Sequence, residues 1–197
     1  QETKGYYMEH SIVTFLLAGI IAFAVIMYVI LDGFDLGIGI LFPWVGDEDD
    51  RKMMINTIAP VWDGNETWLV LGGATLYGAF PLAYSTLLPT LYLPIMLMLG
   101  ALIFRGVSFE FMHNAHKSRF IWNFCFSIGS TFAAFCQGVI LGTFVQGYSF
   151  ESGHLITSDY QWLTPFSMTC GVAVIFGYAL LGTTWLIAKT DGTFQVS

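Results

Sequence analysis

Charge is what this chain has least of. Asp, Glu, Lys and Arg make up 11% of its 197 residues, against about 25% in a soluble globular domain, so water is not the main solvent of the fold. Positive charge is scarcer still: seven Lys and Arg occur in all, and they form no basic stripe, which excludes a nucleic-acid partner. Cysteine is equally sparse. Cys125, Cys136 and Cys170 lie inside apolar runs, and Cys125 and Cys136, about three helical turns apart, are separated by roughly 16 Å along a helix axis, too far for a disulfide. Neither a disulfide framework nor a cysteine metal site is expected. Histidine is missing from the middle of every long apolar run: His10 and His154 fall at the outer edges, and His113 and His116, with Lys117, in a loop. A bis-histidine haem pair needs histidines facing one another within the membrane, so this chain is expected to bind no cofactor directly. No signal peptide is expected either, because the first apolar run is too long and has no small-residue cleavage site after it. The chain opens on Gln1, and Met8 is a candidate native start with residues 1–7 a tag remnant.

What is present is apolar length. Hydrophobic residues make up 55% of the chain and aromatics 17%, and a bilayer-crossing helix needs about 20 apolar residues. The runs predict an all-α, polytopic membrane protein with five transmembrane helices in a bundle, over about 11–42, 58–84, 90–111, 120–147 and 163–188. Pro43 and an acidic loop, Gly46 to Lys52, end the first; Pro60 opens the second and Pro89 precedes the third. Residues 1–10 form a separate outer segment, and 190–197 a tail leading onward to a second half. Lys and Arg favour the cytoplasmic side. With the N-terminus periplasmic, Arg51, Lys52, Arg105, Lys117, Arg119 and Lys189, six of the seven basic residues, fall inside.

The informative stretch is WDGNETWL, Trp62 to Leu69. Asp63 and Glu66 stand three apart on the second span, and Asp32 and Asp35 repeat that spacing on the first, so each pair shares a helix face. Arg105 and Glu110 sit near the inner end of the third span, as a structural ion pair. All six are expected to gather in the cytoplasmic third of the bundle. A charge at the bilayer centre costs about 2.5–3.5 kcal/mol on insertion scales, and such residues mark ion or proton routes. Five carboxylates facing one arginine cannot all be ionised cheaply, so one or more holds a proton, as a proton relay requires. The blander alternative is that they cap helices and bind neighbouring backbone. Trp62 and Trp68 face different sides of their helix and suit interfacial anchoring. Gly33 and Gly37, and Gly138 and Gly142, make GxxxG pairs that support close packing.

The segments DGFDLGIGIL (32–41), INTIAPVWDGNETWLVLGGATLYGAFP (55–81) and FRGVSFEF (104–111) resemble subunit II of the cytochrome bd-type ubiquinol oxidases, and FCQGVILGTFVQG (135–147) is most similar to the cyanide-insensitive branch. The family's subunit II is about twice this length, so the resemblance is to its N-terminal half. It implies a non-haem subunit of a bacterial inner-membrane enzyme that oxidises ubiquinol and reduces oxygen to water, generating proton motive force without pumping. Two b-type haems and one d-type haem are then expected in a partner, subunit I. Small accessory subunits, membrane lipids and a structural quinone or phospholipid are further candidate partners. Residue by residue, it places Asp35 and Asp63 on a proton path, with Asp32 and Glu66 in support, and Trp68 at an oxygen access path. A proton-coupled transporter or channel, or a purely structural assembly subunit, are the rival readings.

Overall fold

The computed structural model describes residues 2–114, 118–147, 150–151, 154–155 and 160–190, without the side chains of 2–11, 113–114, 150–151 and 154–155. The side chains of Lys4, Glu151 and the four histidines, together with Lys117, Asp159 and the tail from residue 191, lie outside that description. The first helix, α1, runs Glu2–Leu41. Its 40 residues span about 60 Å, twice the roughly 30 Å of bilayer hydrocarbon. Residues 2–10, expected as a separate segment, therefore continue the helix.

A 3-10 turn, Phe42–Trp44, follows, with Pro43 inside it. The acidic stretch expected as a loop instead starts a helix, α2 (Glu48–Ile58). The Asp47 carboxylate caps it by accepting from the backbone N–H groups of Asp49 (2.8 Å) and Asp50 (3.2 Å), and Glu48, Asp49 and Asp50 face the positive end of its dipole. A turn over 59–61 carries Pro60 into α3 (Trp62–Ala79), and only Phe80 separates α3 from α4 (Pro81–Asn114). The third span was expected to begin after Pro89. Instead α4 begins at Pro81, where a missing N–H costs nothing, and it runs through Pro89 and Pro94. Prolines inside membrane helices are tolerated where neighbouring elements support the backbone. Ser118 leads into α5 (Arg119–Gln146), and a short antiparallel hairpin, β1 (Phe150–Glu151) with β2 (His154–Leu155), precedes α6 (Pro165–Lys189). Thr164 and Ser167 form a reciprocal capping box at the start of α6.

Among the described residues four helical stretches are long and apolar enough to cross a membrane: Ile12–Trp44, Pro81–Met112, Arg119–Gln146 and Pro165–Lys189. Helix α3, expected as a further span, has 18 residues and opens on Asp63, Gly64, Asn65, Glu66 and Thr67. Its polar first turns keep it out of that set.

Helix α1 is the hub, packing on α3, α5 and α6, while α5 also packs on α4 and α6. Phe34, Ile38, Phe42, Met54, Ile58, Phe109 and Phe126 form one core at the C-terminal end of α1, and Leu36, Met98, Leu102, Ala133 and Tyr178 a second beside it. Large apolar side chains such as Phe15, Phe120 and Phe176 point outward, as expected where the solvent is lipid. Both glycine pairs serve close approach. Gly37 sits on the backbone of Tyr178 and Gly182, and Gly138 on that of Cys170 and Gly171, so that an added Cβ would overlap neighbouring main chain. Gly37→Val and Gly182→Val are therefore expected to destabilise the bundle by about 1–3 kcal/mol or more. Gly177→Ala, on the same helix with open space around it, should be neutral to slightly stabilising. Thermal unfolding in detergent checks the contrast.

Candidate functional site

Three helices build one polar cluster near the C-terminal end of α1. Asp32 and Asp35 project from α1, Asn65 and Glu66 from the second turn of α3, and Arg105 from α4. Asp32, Asp35 and Arg105 are at most 1% exposed, and the Glu66 side chain is 26% exposed. Arg105 Nη1 donates to Glu66 Oε1 at 2.5 Å and to Asp32 Oδ1 at 3.4 Å. The guanidinium carbon lies 5.9 Å from the centre of the Trp62 ring, which packs on Phe109, so the cation also rests on a π face. Asn65 Nδ2 donates to Asp35 Oδ2 at 2.7 Å and to the Leu31 carbonyl at 3.4 Å. Asp32 Oδ2, Asp35 Oδ1 and Arg105 Nε and Nη2 are buried without a hydrogen-bond partner among the described residues.

One guanidinium thus faces three carboxylates in an apolar bundle. Desolvation costs several kcal/mol per ion, and a single cation cannot compensate three anions. The arrangement suits a cluster that holds a proton and passes it between carboxylates.

Two expected members stand outside it. On α3 the face turned to α1 and α4 carries Trp62, Asn65, Glu66, Leu69 and Gly72, a stripe at helical spacing, and Asp63 lies past its edge and is exposed. Glu110 is exposed too. It follows Arg105 by five residues, which turns it about 140° around the helix, and Arg105 pairs instead with Asp32 and Glu66. Trp68 is half-buried, edge-on to Phe23 at 5.6 Å.

Sequence reasoning passed over Asn65, whose signal was its place on the apolar stripe of α3. It also passed over a buried trio, Tyr28, Gln137 and Tyr178, joined by hydrogen bonds of 2.7 and 2.6 Å. Tyr28 precedes Asp32 by one turn, and Gln137 is an amide in the middle of an apolar run; each was a readable cue.

Two clefts flank the cluster. One, of about 580 Å³, is lined by Asp49, Lys52, Thr57, Trp185 and Lys189 among others. The Trp185 ring stacks at 3.9 Å on Phe34, one of the two residues between the α1 aspartates. The other, about 390 Å³ and apolar, lies between α4 and α5 and is lined by Phe104, Phe124, Ile128 and Phe132 among others.

The sequence model of the family "Cytochrome bd terminal oxidase subunit II" matches residues 13–197. The chain is 31% identical over 197 residues to the cytochrome bd-I ubiquinol oxidase subunit 2 of Escherichia coli K12, covering 96% of this chain and 52% of that protein. It is 32% identical over 182 residues to the cytochrome bd ubiquinol oxidase subunit 2 of Bacillus subtilis 168, covering 89% and 53%. A probable cytochrome oxidase subunit 2 of Haemophilus influenzae is 31% identical over 191 residues, covering 93% and 50%. The chain thus spans about half the length of the curated relatives it matches.

Removing the cation should expose how much the cluster depends on it. Arg105→Met leaves Asp32 and Glu66 without a counter-charge and is expected to cost about 3–5 kcal/mol. Asp32→Asn added to it should recover part of that loss, whereas Glu110→Gln alone should leave the unfolding temperature unchanged. Thermal melts of the four proteins decide.

Proposed function

From membership of the cytochrome bd terminal oxidase subunit II family, to which this chain belongs, we propose that it is the N-terminal half of the non-haem subunit of a respiratory quinol:oxygen oxidoreductase. The complex oxidises ubiquinol and reduces oxygen to water, drawing its chemical protons from the cytoplasm. Electron transfer and oxygen chemistry belong to the two b-type haems and one d-type haem of the partner subunit I. This chain supports that subunit and supplies protons. Asp63, exposed on α3, receives them, and Glu66 and Asp35 pass them inward, with Asp32 in support under the field of Arg105. The Oδ1 of Asp35, unpartnered among the described residues, suits bridging water between these steps. Trp68, beside Phe23, lines the oxygen access path.

In this reading α3 is a fifth span, the N-terminus is periplasmic and the membrane is the bacterial inner membrane. Residues 11–189 make up the bundle, and the tail lies outside the described residues from 191 onward. The apolar cleft between α4 and α5 suits the tail of a quinone or phospholipid, and small accessory subunits complete the assembly.

The observation that carries the proposal is the complete burial of Asp32, Asp35 and Arg105 within the segment matched to the family. The polar cluster also sits toward one end of the helices. A transporter typically places its site at the midplane, between broken helices.

The test is quinol-driven oxygen uptake by the purified complex. Asp35→Asn and Asp63→Asn should each slow turnover by about tenfold or more, the scale on which positioned proton-transfer groups act, with yield and haem spectrum intact. Unchanged turnover would sink the relay. A lower yield of complex at normal specific activity would leave these carboxylates an assembly role only.

A further inference from the structure

The trio Tyr28, Gln137 and Tyr178 leaves the acid cluster on the side away from α3 and α4. Tyr28 and Tyr178 are each 5% exposed, and Gln137, half-buried on α5, stands between them. The Tyr178 hydroxyl of α6 donates to Gln137 Oε1 at 2.6 Å, and Gln137 Nε2 donates to the Tyr28 oxygen of α1 at 2.7 Å.

Each phenol has a single hydrogen to give. Tyr178 gives its hydrogen to the amide oxygen, which turns the amide nitrogen toward Tyr28. The Tyr28 oxygen then accepts, and its own hydrogen must find another acceptor. Asp32, one turn along α1, is within electrostatic reach of both phenols. Its Oδ1 is taken by Arg105, while its buried Oδ2 has no partner among the described residues. An ionised carboxylate is the strongest acceptor available there.

We infer that Tyr28, Gln137 and Tyr178 form one positioning chain that directs the Tyr28 hydroxyl hydrogen onto the second oxygen of Asp32. Asp32 is thereby the fixed, orienting member of the cluster, and the proton that moves is carried by Asp35 and Glu66. The groups around Asp32 are Tyr28 and Asp35 from α1, Glu66 from α3, Arg105 from α4 and Tyr178 from α6, and α5 contributes the uncharged Gln137. The inference rests on the proton-carrying reading of the cluster.

The experiment uses the full complex with its haem-bearing partner. Tyr28→Phe, Tyr178→Phe and Gln137→Leu are compared by the pH profile of oxygen uptake and by the infrared bands of buried carboxyl groups. Losing a donor to an ionised carboxylate lets it protonate more readily. Each variant should therefore move the profile toward higher pH, by about half a unit or more, and shift the carboxyl band. Gln137→Glu, whose protonated side chain can make both hydrogen bonds, should restore the profile. Tyr28→Phe with Tyr178→Phe should move it no further than Tyr28→Phe alone, because Tyr28 is the link to Asp32.

The two tyrosine variants each lose one oxygen and keep their ring, so they carry the test if Gln137→Leu fails to assemble. A lowered melting temperature with profile and infrared bands unmoved would make the trio a structural clamp and overturn the inference. Slow turnover in Asp35→Asn beside an unmoved profile in Tyr28→Phe would remove the positioning chain and keep the relay. Normal turnover in Asp35→Asn would remove the relay reading itself.

Discussion

A guanidinium with no access to solvent is the constraint the rest of this structure answers to. Among the described residues Arg105 is the one fully buried cation, and an uncompensated buried charge is among the costliest features a fold can carry. Its compensation comes from two other helices: Asp32 from α1 and Glu66 from α3, with the Trp62 face below. This gives α3 its reason to pack where it does. A helix whose first turns read Asp-Gly-Asn-Glu-Thr has little apolar surface to bury there; its Glu66 pairs with Arg105, and its Asn65 donates to Asp35 and the Leu31 carbonyl. The family-specific polar stretch is thus also what docks α3 on the bundle.

The same electrostatics divides the acids by role. Asp32 and Asp35 are buried, Asp63 is exposed, and Glu66, partly exposed, stands between them. The four thus grade in exposure from the outer face of α3 to the centre of the bundle. Arg105 meets part of their charge, through Asp32 and Glu66.

Much of this was legible in the linear chain because membrane helices announce themselves by apolar length. The spacing of Asp32 and Asp35 correctly placed both on one buried face. Spacing reports the angle around a residue's own helix and is silent about which neighbour that face meets. For that reason Asp63 and Glu110 were expected in the cluster and are not there, and Arg105 was given the wrong partner. Gln137 stands out as an amide in an apolar run, but its meaning comes from tyrosines more than forty and a hundred positions away. The start of α4 was misplaced because Pro89 reads as a boundary in isolation, whereas packing on α5 carries the helix through it.

The glycine contacts have a mechanical consequence. Where Gly37 meets Gly182, and Gly138 meets Gly171, main chain touches main chain with no flexible side chain between to absorb a displacement. Helices α1, α5 and α6 therefore move, if at all, as a single plate, since sliding one past another would drive carbonyls into carbonyls within a fraction of an ångström. Asp32 and Asp35 are mounted on that plate. Their positions relative to Gln137 and Tyr178, which sit on the same plate, are therefore held fixed.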